Sequence, residues 1–196
     1  FSNMNKDLLD NSRFKGLRIA ITGANGSLGQ PLIKELKKKG AYVVGLTHSK
    51  ENNKTVYQSS PNEWISWACG GEKLLSSKLS NIDILILNHG FNPKEMIDSN
   101  EINKAIEINA LSHWRLIEIF EDLAISNNLN KSIKKEVWVN TSEAEIQIAF
   151  SPVYEITKRL IGQLISLKKS KLLMEKRSHF IIKKLILGPF KSKLNP

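Results

Sequence analysis

Cysteine is nearly absent from this chain: Cys69 is the one cysteine in 196 residues. A disulfide framework is therefore excluded, and a cysteine-based zinc centre has no ligands to build on; no metal site is expected. Such sparse cysteine suits a reducing, cytoplasmic setting. Cys69 follows Trp64-Ile65-Ser66-Trp67-Ala68 and reads as a packing residue at a strand end rather than a nucleophile. Long apolar runs are also missing, none approaching the ~20 residues a membrane-spanning helix needs. No signal-peptide pattern opens the chain, whose first residues are polar and of mixed charge. Acids are scarce against bases, 19 Asp and Glu to 29 Lys and Arg, for a net charge of +10. An anionic partner would fit that excess. The lysines are scattered, however, as at Lys37-Lys38-Lys39, Lys134-Lys135, Lys168-Lys169 and Lys183-Lys184. No nucleic-acid motif or interleaved aromatic platform accompanies them, so nucleic-acid binding is not expected. Internal repeats and low-complexity segments are absent.

What is present is an ordinary globular balance, 41% apolar and 24% charged residues, at a length that suits one domain with a sizeable core. Residues 1–16 form a polar lead-in, in which Phe1-Ser2-Asn3 before Met4 reads as a tag remnant and Met4 as the native start. Residues 17–196 read as a single domain. Apolar, β-branched runs at Leu17–Ile21, Ala41–Thr47, Glu63–Trp67, Asn81–Leu87, Glu136–Asn140 and Phe180–Leu187 predict six strands. Helical periodicity predicts helices over Ser27–Lys39 (Leu28, Leu32, Ile33 and Leu36 on one face), Glu72–Leu79 (Leu74, Leu75 and Leu79 inward), Glu101–Ile125 and Ser151 to about Glu175. Ser151-Pro152 supplies an N-cap and a first-turn proline for the last of these. This alternation predicts an α/β protein: a Rossmann-type, doubly wound parallel sheet in three α/β/α layers.

The chain is organised around Thr22-Gly23-Ala24-Asn25-Gly26-Ser27-Leu28-Gly29, between the first strand and the first helix. Glycines there let the backbone turn tightly and approach a pyrophosphate, which the free N–H groups and positive dipole end of the helix then face. The end of the second strand would meet the adenine ribose, where an acid selects NAD and repels a 2′-phosphate. No acid occurs there before Glu51; His48-Ser49-Lys50 offers a hydroxyl and a cation instead. NADP is thus expected over NAD, Lys50 as a solvated loop lysine being the alternative. The fourth strand delivers Asn88-His89-Gly90 to the sheet edge where open α/β sheets bind ligands.

A second constellation reaches the same edge. Tyr154 and Lys158 lie four apart on one helix face, Ser142 follows the fifth strand, and Asn109 sits on the preceding helix. Tyrosine, with a pKa of about 10, is a poor base at neutral pH; a lysine ammonium one turn away can lower that value. A serine hydroxyl can hold the substrate oxygen while the tyrosine moves its proton and hydride passes to or from nicotinamide. An asparagine can anchor a water that reloads the lysine.

With these residues in this order the chain resembles the short-chain dehydrogenase/reductase family. The resemblance rests on Thr22–Gly29, Asn88-His89-Gly90, Asn109, Ser142 and Tyr154-Glu155-Ile156-Thr157-Lys158. It implies Tyr154 as acid/base, Lys158 binding the nicotinamide ribose and tuning Tyr154, Ser142 orienting the substrate, and Asn109 completing a proton relay. It further implies a cofactor held by Gly23, Asn25, Gly26, Ser27, Leu28 and Gly29, by His48, Ser49 and Lys50, by Asn88, His89 and Gly90, by Tyr154 and Lys158, and by Gly188 and Pro189 after the sixth strand. The implied activity is NADP-dependent oxidoreduction of a small-molecule carbonyl or alcohol. An NADP-binding redox sensor or pseudo-enzyme on the same fold is the alternative. The helices carrying Asn109 and Tyr154 would pair two copies in a homodimer, with Leu111, Trp114, Ile161 and Ile165 facing outward.

The chain also departs from the family pattern. Gly26 and Ser27 give a hybrid glycine spacing. Ser142 precedes Tyr154 by 12 positions, one fewer than usual, which leaves Thr141 a competitor for the serine role. His89 stands where the family has a methyl, either as a polar contact to the cofactor or as a bulkier packing group. The family's seventh strand would fall beyond Pro196, so the sheet is expected to lack its last strand: either the protein is short or that part is not in this chain.

Overall fold

The computed structural model describes residues 13–48, 60–93, 98–127, 134–177 and 179–188. The segments expected to hold Ser49, Lys50 and Pro189 lie outside the described residues. Six strands, β1 (Arg18–Thr22), β2 (Tyr42–Thr47), β3 (Glu63–Ser66), β4 (Ile84–Leu87), β5 (Lys135–Ser142) and β6 (Phe180–Leu187), form one sheet in the order β3-β2-β1-β4-β5-β6. Every pairing is parallel. The order reverses between β1 and β4, the switch point at which such sheets open a ligand crevice. Ile84–Leu87 is buried throughout, as its unbroken apolar run requires of a central strand with both faces covered.

Helices flank both faces. On one side α1 (Gly29–Lys38) sets Ile33 and Leu36 on Ile19, Ile21, Val43, Ile84 and Ile86. Its end is a glycine stop: Gly40 takes φ +83°, and Ala41 N–H returns to Leu36 O at 3.0 Å. On the other side α2 (Ser76–Leu79), α4 (Ser112–Asn127) and α5 (Pro152–Met174) pack Leu79, Leu116, Ile117, Phe120, Ile161 and Ile165 against Ala20, Val44, Leu85, Val137 and Val139. The predicted N-cap of α5 is formed, with the Ser151 hydroxyl accepting Tyr154 N–H at 3.3 Å. No helix among the described residues is long and apolar enough to cross a membrane.

Three expectations are corrected. The helix expected over Glu101–Ile125 is broken into α3 (Ser99–Ile106), a π-turn (Glu107–Leu111) and α4; Asn109 lies in the π-turn, whose extra residue a 3.6-residue period cannot announce. Leu74 is 84% exposed rather than inward, because Glu72–Leu75 is a 3₁₀ turn whose tighter winding rotates it away from Leu75 and Leu79. Ile161 and Ile165 are buried, not outward. They lie three and seven residues beyond Lys158, and so share the inward stripe that Lys158 occupies.

Candidate functional site

All six strands bring their carboxyl ends to one edge, and hydrogen bonds tie that edge together. Asn25 Nδ2 donates to Thr47 Oγ1 at 3.0 Å, Asn88 N–H to Thr22 Oγ1 at 2.8 Å, and Asn140 Nδ2 to Asn88 Oδ1 at 3.1 Å. The glycine turn is built by close approach. Gly23 has φ +61°, and a Cβ there would stand 2.9 Å from Asn88 O and 3.0 Å from His89 N. At Gly29 a Cβ would come within 2.4 Å of Gly23 O, whereas at Gly26 it would meet the same oxygen at 3.1 Å. Gly26 and Ser27 are exposed at the tip, and Leu28 is half-buried before the helix.

The cradle fits a dinucleotide's phosphates. Helix α1 has no side-chain N-cap bond and no acid in its first turn, so no side chain of its own cap or first turn compensates its positive end. Asn25 Oδ1 is buried at the turn with no hydrogen-bond partner among the described residues. His48 is exposed just past β2, on the side where an adenine ribose would lie.

Next to the turn opens a cavity of about 300 Å³, at the small end of ligand sites. It brings together Asn88, His89, Gly90, Ser142, Tyr154, Lys158 and Gly188. The glycine turn, His48 and Asn109 do not line it. The Ser142 hydroxyl stands near enough to the Tyr154 phenol to favour its ionised form, and Lys158 Nζ stands 5.4 Å from the Tyr154 ring centroid. Thr141 donates its hydroxyl to Leu185 O at 3.3 Å; Ser142 is the hydroxyl at Tyr154.

Burial dominates the electrostatics. It pushes the Tyr154 phenol above its ordinary value, a rise that the Ser142 hydroxyl only opposes. Burial depresses Lys158, to about 8, against the opposing charge of Glu145. Glu145, in the 3₁₀ turn Glu143–Glu145, is ion-paired with Lys184 and packs against α5 at Gly162, where the absent Cβ leaves room.

Asn109 is wholly buried. Its Oδ1 accepts Phe91 N–H at 2.7 Å; its Nδ2 donates to Phe91 O at 2.7 Å and to Thr157 Oγ1 at 3.0 Å. Both amide hydrogens are thus engaged in holding the β4 exit loop to α5, one residue from Lys158. His89 packs inside the protein: its ring stacks on His113 with centroids 4.0 Å apart, and its ring nitrogens are hydrogen-bonded to Thr22 and Ser112.

Sequence reasoning missed several cavity residues, among them Asn140, Ile148 and Phe150. Asn140 had a signal: it precedes Ser142 by two strand positions and so shares its face. Ile148 and Phe150 at the mouth are 92% and 111% exposed and had none.

The NAD dependent epimerase/dehydratase family matches residues 19–144. The monoglucosyldiacylglycerol epimerase of Synechocystis sp. is 42% identical over 184 residues, which is 93% of this chain and 43% of that protein. The chain thus spans under half the length of this relative. Among solved structures, a short-chain dehydrogenase from Burkholderia cenocepacia in complex with NADP superposes with TM-score 0.76 at 18% identity, covering 92% of this chain and 76% of that one. One from Leptospira borgpetersenii with bound NAD+ gives TM-score 0.76 at 22% identity, covering 92% and 74%.

Proposed function

The chain belongs to the NAD dependent epimerase/dehydratase family, of short-chain dehydrogenase/reductase type, and from that premise we propose that it transfers hydride at a secondary-alcohol carbon of a sugar headgroup carried on a lipid, inverting that carbon. The observation that carries this reading is a cavity with a polar floor, Ser142, Tyr154 and Lys158, and an apolar mouth, Ile148 and Phe150. A glycolipid has that polarity: its head needs hydroxyl partners and its tail an apolar exit. The similarity to a glycolipid epimerase supports the same choice.

When bound, the nicotinamide supplies acceptance and return of hydride. Gly23, Asn25, Gly26, Ser27, Leu28 and Gly29 would hold its phosphates, His48 would stand by its adenine ribose, and Asn88, His89, Gly90 and Gly188 would carry it into the cavity. Lys158 would bind the nicotinamide ribose. Ser142 Oγ holds the substrate oxygen beside Tyr154 Oη. The buried phenol rests protonated, the form that gives a proton to a carbonyl oxygen. For the forward half-reaction the phenol must first lose that proton to solvent; the phenolate, beside the Ser142 hydroxyl and the Lys158 ammonium, then takes the hydroxyl proton and returns it when the carbonyl is reduced again. Asn109 positions α5 through Thr157. NADP is the preferred partner, since no acid stands between Thr47 and Glu51.

The test is to titrate NADPH and NADH, then incubate the protein with the oxidised cofactor and monoglucosyldiacylglycerol in detergent micelles. Sugar analysis should find the epimeric headgroup with no net change in reduced nicotinamide. Net NADPH oxidation with simple carbonyls, and no epimer, would replace this reading by a carbonyl reductase. Cofactor binding with no turnover, unchanged in Tyr154→Phe, would identify a redox sensor.

A further inference from the structure

We propose that His89 is a positioning residue of the dinucleotide site, the middle link of a one-way hydrogen-bond chain Thr22→His89→Ser112→Glu72 that fixes the floor of the cradle. The proposal rests on the dinucleotide reading above, and its chemistry follows from counting hydrogens.

Ser112 Oγ is 2.6 Å from Glu72 Oε1 and donates to it. Glu72 is buried but ionised: burial alone would raise its carboxyl, yet hydrogen bonds from Arg115 and Ser112 hold it below the usual range. It also accepts Arg115 Nε–H at 2.7 Å and Gly70 N–H at 3.0 Å. The Cys69 thiol also pairs with Ser112 and is pushed up by burial, so it stays protonated; a neutral thiol sulfur is a much weaker acceptor than the ionised Glu72 oxygen, which takes the serine hydrogen. With that hydrogen committed to Glu72, the serine oxygen can only accept from His89 Nε2, 3.2 Å away. Burial and the nearby Lys158 charge keep the His89 ring neutral, so it has one N–H. Its Nδ1 is therefore bare and receives the Thr22 hydroxyl hydrogen at 2.8 Å, in preference to Ile86 O at 3.4 Å. His113, stacked at 4.0 Å, and Trp67, edge-on at 5.2 Å, lock the ring plane.

The consequence lies at Thr22. With its hydrogen held by His89, Oγ1 presents its lone pairs to Asn88 N–H at 2.8 Å and His89 N–H at 3.3 Å. Those two bonds press the β4 exit against Gly23, at the contact only a glycine permits. Ser112 and Glu72, neither of which lines the cavity, thereby set the relative position of the two loops that the cofactor bridges.

Two measurements test this. Nitrogen-detected NMR of the histidine rings in the cofactor-free protein should show His89 as the Nε2–H tautomer, unchanged between about pH 8 and about pH 5, where a free imidazole titrates. An Nδ1–H tautomer, or ordinary titration, overturns the proposal without reference to any ligand. In NADPH and NADH titrations by nicotinamide fluorescence, His89→Ala should bind roughly tenfold more weakly, the loss of one to two net hydrogen bonds. His89→Asn, whose Oδ1 takes the place of Nδ1, should recover most of that loss. His89→Gln, which replaces only the Nε2 bond to Ser112, should not. Unchanged affinity in His89→Ala, or equal recovery by Asn and Gln, refutes the positioning role. If the wild type binds neither nucleotide, the dinucleotide reading fails instead, and the tautomer result still decides the chain.

Discussion

Gly29→Ala is the sharpest test of the cradle. The new Cβ would stand 2.4 Å from Gly23 O, 2.6 Å from Ala24 O and 2.7 Å from Ala24 C. All three are backbone atoms, so no rotamer change relieves the overlap. The first contact is about 1 Å short of ordinary van der Waals distance, so the turn must open by about that much from α1. Overpacking of this kind costs about 1–3 kcal/mol, offset by roughly 0.4–1 kcal/mol from the stiffer unfolded chain. At about 2–4 °C per kcal/mol for a domain of this size, the melting temperature should fall by only a few degrees. Cofactor affinity should fall much further. A 1 Å displacement forfeits at least one charge-assisted backbone hydrogen bond to phosphate, worth about 1.5–3 kcal/mol, or roughly 10- to 100-fold in Kd. Gly26→Ala meets Gly23 O at 3.1 Å, a contact that a few tenths of an ångström resolve, and should cost far less. The assay is fluorescence titration with NADPH and NADH beside a thermal melt. Binding by Gly29→Ala within twofold of the wild type would refute the cradle, as would equal losses at Gly26 and Gly29.

Tyr154→Phe should keep cofactor binding while turnover falls by about 10²–10⁴, the usual contribution of a general acid/base; retained turnover would remove Tyr154 from the chemistry. Lys158 titrates near 8 in the fold against 10.5 in the unfolded chain. Between those values the unfolded state binds the extra proton, so Lys158 makes stability rise with pH from about 8 to about 10.5, its full penalty being present below that window. Urea denaturation across the window should show that rise in the wild type and not in Lys158→Met. Glu72 is 1% exposed and Arg115 33%, so Arg115→Leu strands a buried carboxylate and should cost about 3 kcal/mol; the double variant with Glu72→Gln should regain part of it in the same denaturation assay. With Ile161 and Ile165 buried, a homodimer would have to use the exposed Leu111, Ile156, Leu160 and Leu167 on the π-turn and α5. Light scattering at micromolar concentration should give twice the chain mass, and a monomer mass would rule the pairing out.

What the sequence alone determined is what short-range physics controls. Strands buried on both faces read as apolar runs, and β6 matched its expected bounds, Phe180–Leu187. Ser151-Pro152 announced the start of α5, and four-residue spacing put Tyr154 and Lys158 on one face. The inward burial of Ile161 and Ile165 was legible by the same rule, once Lys158 was taken as facing the site. Tertiary structure alone decided which hydroxyl meets Tyr154, because Thr141 is drawn to Leu185 O on β6, 44 residues away. It alone decided that Asn109 holds Phe91 and Thr157, and that burial raises the Tyr154 phenol. The position of His89 in the sequence shows only a departure from the family pattern. Its role depends on Thr22, Ser112 and Glu72, brought from β1, α4 and the turn before α2. No local period encodes such a set; it forms only when the sheet closes and buried polar groups must find partners with one another.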